Sequence, residues 1–498
     1  MSNQADQPRE EAVELDHEAI GFTESLAIGL SSTAPAYSLA AVIGTLTVIV
    51  GVQAPAAMLA SFVPMFLIAA AFYYLNRADQ DAGTVFSWVT RTLGPWVGWL
   101  GGWAICTTGI LVIGSLADVG ARYFYVLVGW DSAAESKWAV IALAVAIIVV
   151  MTAICILGTE LSGRLQTVLT LAQVVILLVF ALVALGKVYS GDAPEGSSRP
   201  QADWLSPFAI DGLSPLVSSL LLGVFIYWGW ESAVNLTEET RGSSRAPGLA
   251  AVVSTVVLVV TYVLVTTAVI AYAGLELLAE YDDDEGIFGA LATDVLGSPW
   301  DKLVVLAIVT SAIASTQTTI IPSSRTSFSM ARQSALPALF ASVHPRFRTP
   351  WFSTAAIAML AIAWYVPVNA LSENFLYDTL SALSLMIAFY YALTGIACAV
   401  YYRRELHRSV RNLLFIGVAP LTGAAILSYL FVKAAIDLAD VENSYSGQSV
   451  LGMGVPLAIA LGFFLLGAIL LVAWRLAGNE RFFDRRPFET VEPAEVTS

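Results

Sequence analysis

Residues 21–44, GFTESLAIGLSSTAPAYSLAAVIG, are an apolar stretch of membrane-spanning length, interrupted at Ser31-Ser32-Thr33-Ala34-Pro35 where a spanning helix should run on. In hydrocarbon each unpaired backbone N–H or C=O costs several kcal/mol, so irregular backbone at that depth persists only where it is buried in protein or lines a cavity. A helix broken in mid-membrane holds something, and the interruption points to a carrier.

The remainder of the chain has the character of a polytopic membrane protein. Of its 498 residues, 57% are hydrophobic and 13% charged, and charge-free runs recur along its length. Spans of about 20 residues fall near 24–50, 53–75, 96–128, 138–157, 164–187, 214–236, 248–273, 300–321, 351–370, 375–402, 412–437 and 451–475, about twelve helices in all. The N-terminal stretch is acidic and has no apolar core ending in a small-residue cleavage site, so it reads as a cytosolic tail and not as a signal peptide.

Arginine and lysine divide by side, and basic residues are retained in cytoplasmic loops. With both termini inside, Arg9, Arg77, Arg91, Arg164, Arg241, Arg245, Arg325, Arg332, Arg346, Arg348, Arg403, Arg404, Arg408, Arg411, Arg475, Arg481, Arg485 and Arg486 all fall inside. The lysines Lys137, Lys187, Lys302 and Lys433 join Arg122 and Arg199 outside, among acidic loops such as residues 279–286, AEYDDDEG. Those loops and the tails supply most of the net charge of -15 and keep the outer surface solvated. The three cysteines, Cys106, Cys155 and Cys398, lie within spans and imply neither a disulfide framework nor a metal site.

A second interruption lies five spans after the first. In the sixth span, Tyr227-Trp228-Gly229-Trp230-Glu231-Ser232 sets a glycine and an acid among large aromatics. A charged residue at the centre of a membrane helix costs about 2.5 kcal/mol or more, so Glu231 must face the bundle interior and titrate or pair. Discontinuous first and sixth helices meeting near the midplane are the pattern of five-plus-five inverted-repeat carriers. The expected organisation is therefore a cytosolic tail (1–20), a first repeat (21–190), a second repeat (191–402), two accessory helices (403–475) and a disordered cytosolic tail (476–498).

Three stretches resemble permeases of the amino acid–polyamine–organocation superfamily. They are residues 324–350, SRTSFSMARQSALPALFASVHPRFRTP, with a Ser-Arg pair, an Ala-Arg, a Leu-Pro turn and a His-Pro-basic run; residues 83–103, GTVFSWVTRTLGPWVGWLGGW; and residues 238–247, EETRGSSRAP. The resemblance implies an all-α polytopic fold with a ten-helix inverted-repeat core, broken helices one and six, and alternating access. It also aligns Glu231 with an acid that senses or carries a proton in some members, Phe225 with an aromatic gate, and Gly229 with the glycine of the unwound turn. Structural readings stand beside these: Glu231 as a hydrogen-bonding acid, and Phe225, Trp228 and Trp230 as core packing.

Three positions depart from that pattern. Where the family has a Gly-small-Gly triplet in helix one, this chain has Thr33-Ala34-Pro35 before Tyr37, and proline has no N–H. The amides of Thr33 and Ala34 and the hydroxyls of Ser31, Ser32 and Thr33 remain as substrate ligands, and an amine without a carboxylate stays open as substrate. Gln173 stands where some members have a lysine that substitutes for sodium, and Thr319 where some exchangers have an inner-gate tryptophan. The run Ser315-Thr316-Gln317-Thr318-Thr319 offers oxygens to sodium or substrate, or bonds back to its own helix. Asp118 and Arg122, four residues apart, read as an ion pair on one helix face. Glu24 and His17 lie near the cytoplasmic entrance in no recognisable constellation, and His344 and His407 lie in basic loops.

The function read from the sequence is a secondary carrier in the plasma membrane for amino acids or related amines and polyamines, coupled to H+ or Na+, with Glu231 as the candidate proton group. An inorganic cation symporter of the same superfamily and a non-transporting membrane sensor are the alternatives. An enzyme is disfavoured because the spans show no paired His/Asp/Glu constellation. The implied partners are a small-molecule substrate, the coupling ion and the bilayer, with no cofactor, metal or nucleic acid.

Overall fold

The computed structural model describes residues 14–280, 287–371, 373–444 and 446–488. The expected acidic loop at 281–286 and the tail residues 1–13 and 489–498 lie outside the described residues. Eleven stretches among the described residues are long and apolar enough to cross a membrane, and the first, 57 residues long, doubles back at Gly51–Gln53 and so crosses twice.

The first crossing is split into α1 (Phe22–Ser32) and α2 (Pro35–Val50), followed by α3 (Ala54–Ala78). A short amphipathic helix that hydropathy does not reveal, α4 (Val85–Leu93), leads into α5 (Pro95–Leu127). Then come α6 (Lys137–Leu157), α7 (Thr159–Ser190) and the second split crossing, α8 (Leu213–Tyr227) with α9 (Ser232–Asn235). After α10 (Ala246–Ala279) and the short α11 (Ile287–Leu296) the chain forms α12 (Lys302–Arg332), α13 (Trp351–Leu371) and α14 (Glu373–Tyr401). α15 (Ala419–Asp437), entered through a π-helical turn at Leu413–Val418, and α16 (Val455–Leu476) complete the bundle.

Burial orders these helices. The spanning windows of α5 and α12 are 89% and 78% buried, whereas that of α16 is 33% buried, so α5 and α12 form the centre and α16 lies at the periphery. Small residues let the central pair approach: a Cβ at Gly109 would lie 2.0 Å from Ser323 Oγ. Without a hydrophobic force between helices in lipid, such close packing holds the bundle together.

Both described chain ends lie at one end of the bundle. The Asp16 N–H donates to the Arg348 carbonyl at 3.2 Å, and the Phe488 N–H to the Arg91 carbonyl at 2.8 Å. We call this the terminal end. Lys137 and Lys302 begin helices at the opposite, distal end, where Lys187 lies in the last turn of its helix.

Two expectations are corrected here. The eighth crossing does not stop near residue 321 but continues as α12 to Arg332, burying Ser324 and Arg325. Hydropathy truncates it because it counts Arg325 as a loop residue, whereas the fold pairs that charge. The chain beyond residue 476 is also ordered as far as Phe488. Its short helix α17 (Glu480–Phe483) buries Phe482 against Phe86 and sets Phe483 beside Trp96. Arg485 donates to the Gln333 carbonyl at 3.0 Å, and the Arg403 guanidinium lies 4.0 Å from the Phe488 ring centre. This strap ties the ends of α4, α12 and α14 together. Phe482→Ala is expected to cost about 3–5 kcal/mol, read as a lowered unfolding temperature, with the 97% exposed Phe208 as a neutral alanine control.

Candidate functional site

Pro35 ends helical hydrogen bonding because it lacks an N–H and pushes its predecessor out of the α region. Ala34 accordingly adopts a left-handed conformation (φ 46°, ψ 61°), and Pro35 starts α2. The freed groups are satisfied locally. The Ala34 N–H donates to the Ser31 carbonyl at 3.0 Å, the Ser38 hydroxyl to the Thr33 carbonyl at 2.6 Å, and the Thr33 hydroxyl to the Leu30 carbonyl at 2.7 Å.

The second break follows from glycine. Trp228 is extended (ψ 144°) and Gly229 has φ 117°, a conformation side-chain-bearing residues rarely adopt. The two breaks touch. A Cβ on Gly229 would lie 2.7 Å from the Ser32 carbonyl oxygen, and the hydroxyls of Ser32 and Ser232 are 2.8 Å apart. Ser315 on α12 donates to the Ser32 carbonyl at 2.9 Å, pinning the junction from the scaffold side.

Glu231 lies at this junction, 2% exposed. It accepts hydrogen bonds from the Tyr390 hydroxyl at 2.5 Å, the Tyr391 hydroxyl, and the Gly229 N–H at 3.1 Å. Tyr390 in turn accepts from the Trp228 indole N–H. The carboxyl thus fastens the unwound turn to α14 through neutral donors, and among the described residues no Lys, Arg or His pairs with it. A single-sequence reading passes over Tyr390 and Tyr391, for which the only signal is a tyrosine pair inside an apolar span.

Above the breaks, α2, α8, α14 and α15 enclose a cavity of about 420 Å³. Its walls include Thr45, Ser218, Ser384 and Asp437, and its lining reaches Tyr37 and Phe225, each within a turn of a break. Of the sequence-predicted residues, Phe225 lines this cavity. Ser31, Ser32, Thr33, Ala34, Pro35, Trp228 and Gly229 are gathered beneath it at the two breaks. Trp230 does not join them: it stacks on Tyr391 at 5.3 Å and meets Phe72 edge-on, the core-packing alternative. Ser31 bonds to Thr170 on α7, and Thr316 bonds back to its own helix at the Ala312 carbonyl. Gln173 and Thr319 are fully buried, and neither the Gln173 amide nor the Thr319 hydroxyl has a hydrogen-bond partner.

The terminal end beneath the breaks is closed. Arg325 and Glu239, each 1% exposed, form a two-pronged ion pair at 3.0 and 3.2 Å, and the Thr159 hydroxyl bonds to both. Farther out, Arg332 bonds to Glu238 at 2.7 Å, and Asp81 accepts from Ser87 at 2.7 Å and Ser329 at 2.5 Å. Glu24, assigned to no constellation from sequence, caps the Gly21 N–H at 2.9 Å, and His17 Nδ1 lies 2.9 Å from the Glu238 carbonyl. Asp118 pairs with Arg122 at 3.1 Å as expected and also accepts from Tyr365 and Asn369, which fixes α5 to α13.

Just past α3, burial raises the Asp79 carboxyl to about 6, with Arg91 opposing the shift and Asp81 and Glu238 adding to it. The folded state therefore holds this proton more tightly than the unfolded chain does. The associated stability is full below the ordinary carboxyl value of 3.8 and is lost as pH rises through about 6. Asp79→Asn should remove that decline, so the unfolding temperatures of variant and parent diverge progressively over this interval.

Residues 21–473 match the sequence model of the amino acid permease family. The methylthioribose transporter of Bacillus subtilis is 26% identical over 72% of this chain and 76% of its own length. The serine/threonine exchanger of the same organism is 23% identical over 65% of this chain and 69% of its own length. Cationic amino acid transporter 8 of Arabidopsis thaliana, a vacuolar protein, is 24% identical over 67% of this chain and 51% of its own length.

Proposed function

The chain belongs to the amino acid permease family, within the amino acid–polyamine–organocation superfamily, and on that premise we propose that it is a secondary active carrier for amino acids or related amines. It is a multi-pass membrane transporter and not an enzyme. In this reading, substrate enters the cavity above Tyr37 and Phe225 and settles between the two breaks, and the carrier then alternates between distal-open and terminal-open states. In this reading the membrane is the plasma membrane and the terminal end is cytoplasmic, an orientation that agrees with the arginine-rich loops at that end. Residues 21–190 and 191–402 are the two repeats, with 403–475 accessory.

The observation that carries the proposal is the contact of the Ser32 and Gly229 turns below a cavity whose lining reaches Tyr37 and Phe225, with the terminal end beneath the breaks closed by the ion pair of Arg325 and Glu239. Glu231 is the proposed proton-coupling group, since its three donors can serve the carboxylate and its neutral form needs no counter-charge. Uptake into proteoliposomes that collapses when the proton gradient is dissipated supports this. Glu231→Gln should abolish its pH dependence, and unchanged uptake by that variant across acidic and neutral pH would remove the assignment. Dependence on sodium would instead move coupling to the unpartnered oxygens of Gln173 and Thr319.

A further inference from the structure

The polar groups at the breaks restrict the substrate more than the carrier reading, on which this inference rests, requires. A substrate carboxylate placed at a half-helix start is held by free backbone N–H groups and by the positive end of the helix dipole. At the start of α2 those donors are largely deleted or consumed. Pro35 has none, Ala34 donates to Ser31, Ser38 donates to the Ala34 carbonyl at 2.8 Å, and the Tyr37 N–H faces Ser311 Oγ at 3.5 Å. At the second break the Trp228 N–H donates to Phe225, and the Gly229 N–H is taken by the Glu231 carboxyl. The chain has placed a carboxyl group of its own where a bound carboxylate would otherwise be received.

Charge and shape agree with this. The cavity lining contains no Lys, Arg or His among the described residues, and its one carboxylate is Asp437, which has Lys433 at 3.3 Å. An anionic substrate would thus meet no cation in the lining, and below it, at the second break, the Glu231 carboxyl. An ammonium group would meet acceptors such as the hydroxyls of Thr45, Ser218 and Ser384 instead, in a lining that also holds the aromatic side chains of Tyr37 and Phe225, a residue type that attracts cations.

We infer that the substrate of this carrier is an organic amine without a free carboxylate, admitted because the two breaks withhold the donors that a carboxylate needs.

Matched pairs differing only in that group test the inference: lysine against cadaverine, ornithine against putrescine, and phenylalanine against phenethylamine. Each is measured by thermal shift on the purified full chain and by uptake into proteoliposomes. In at least one pair the decarboxylated member should bind about tenfold tighter or better, the value of roughly one hydrogen bond to a charged group. Pro35→Gly, which restores an amide, should narrow that gap. If the variant fails to fold, Glu231→Gln, which removes the resident anion, should narrow it too. Equal or tighter binding of the amino acid in every pair, with uptake, overturns the inference and leaves the carrier reading standing. If neither member of any pair binds or accumulates, both readings fall.

Discussion

Arg325→Met is expected to lower the stability of the folded chain by about 3–5 kcal/mol, the cost of stranding one partner of a buried ion pair. Both side chains are 1% exposed, and the guanidinium meets the Glu239 carboxylate through two nitrogens. Removing the cation leaves a buried anion that, among the described residues, only the Thr159 hydroxyl still serves. Glu239→Gln should cost a similar amount. The double variant Arg325→Met/Glu239→Gln should recover much of the loss, because no isolated charge then stays buried. Urea or thermal unfolding of the four proteins in detergent completes the cycle. If the single variants are as stable as the parent, the ion pair is not what closes the terminal end.

Gly229→Ala should reduce uptake by about 100-fold or more, since roughly 3 kcal/mol of misalignment in the productive geometry corresponds to that factor. The added Cβ would lie 2.7 Å from the Ser32 carbonyl oxygen and 2.9 Å from its hydroxyl, on a backbone with φ 117°. Neither obstacle is the far end of a flexible chain, so relief requires one break to move off the other. Gly186→Ala, where a Cβ meets nothing within 4 Å, is the control and should transport normally. Unimpaired uptake by Gly229→Ala would mean that the contact between the breaks is incidental to transport.

The parts of this architecture that are legible in the sequence depend on local composition. A membrane span declares itself because about 20 consecutive residues must be apolar to cross the hydrocarbon. The first break is legible because Pro35 cannot donate, and the second because a glycine and an acid interrupt an aromatic run. The Asp118–Arg122 pair is legible because four residues bring two side chains onto one helix face. What hydropathy misreads shares one cause: it scores a charge without its partner. It therefore ends the eighth crossing before Arg325, and it leaves the tail with Phe482 and Phe483 undocked.

The amino-acid sequence by itself determined that this chain spans the membrane about a dozen times and breaks twice, because those properties follow from runs of residues and from the backbone chemistry of proline and glycine. Only the tertiary structure decided that Ser32 meets Gly229, that Glu231 is held by Tyr390 and Tyr391, and that Arg325 finds Glu239 across 86 residues of chain. Such partnerships depend on how whole helices pack, and a hydrogen bond or ion pair between distant segments leaves no periodic trace in either one.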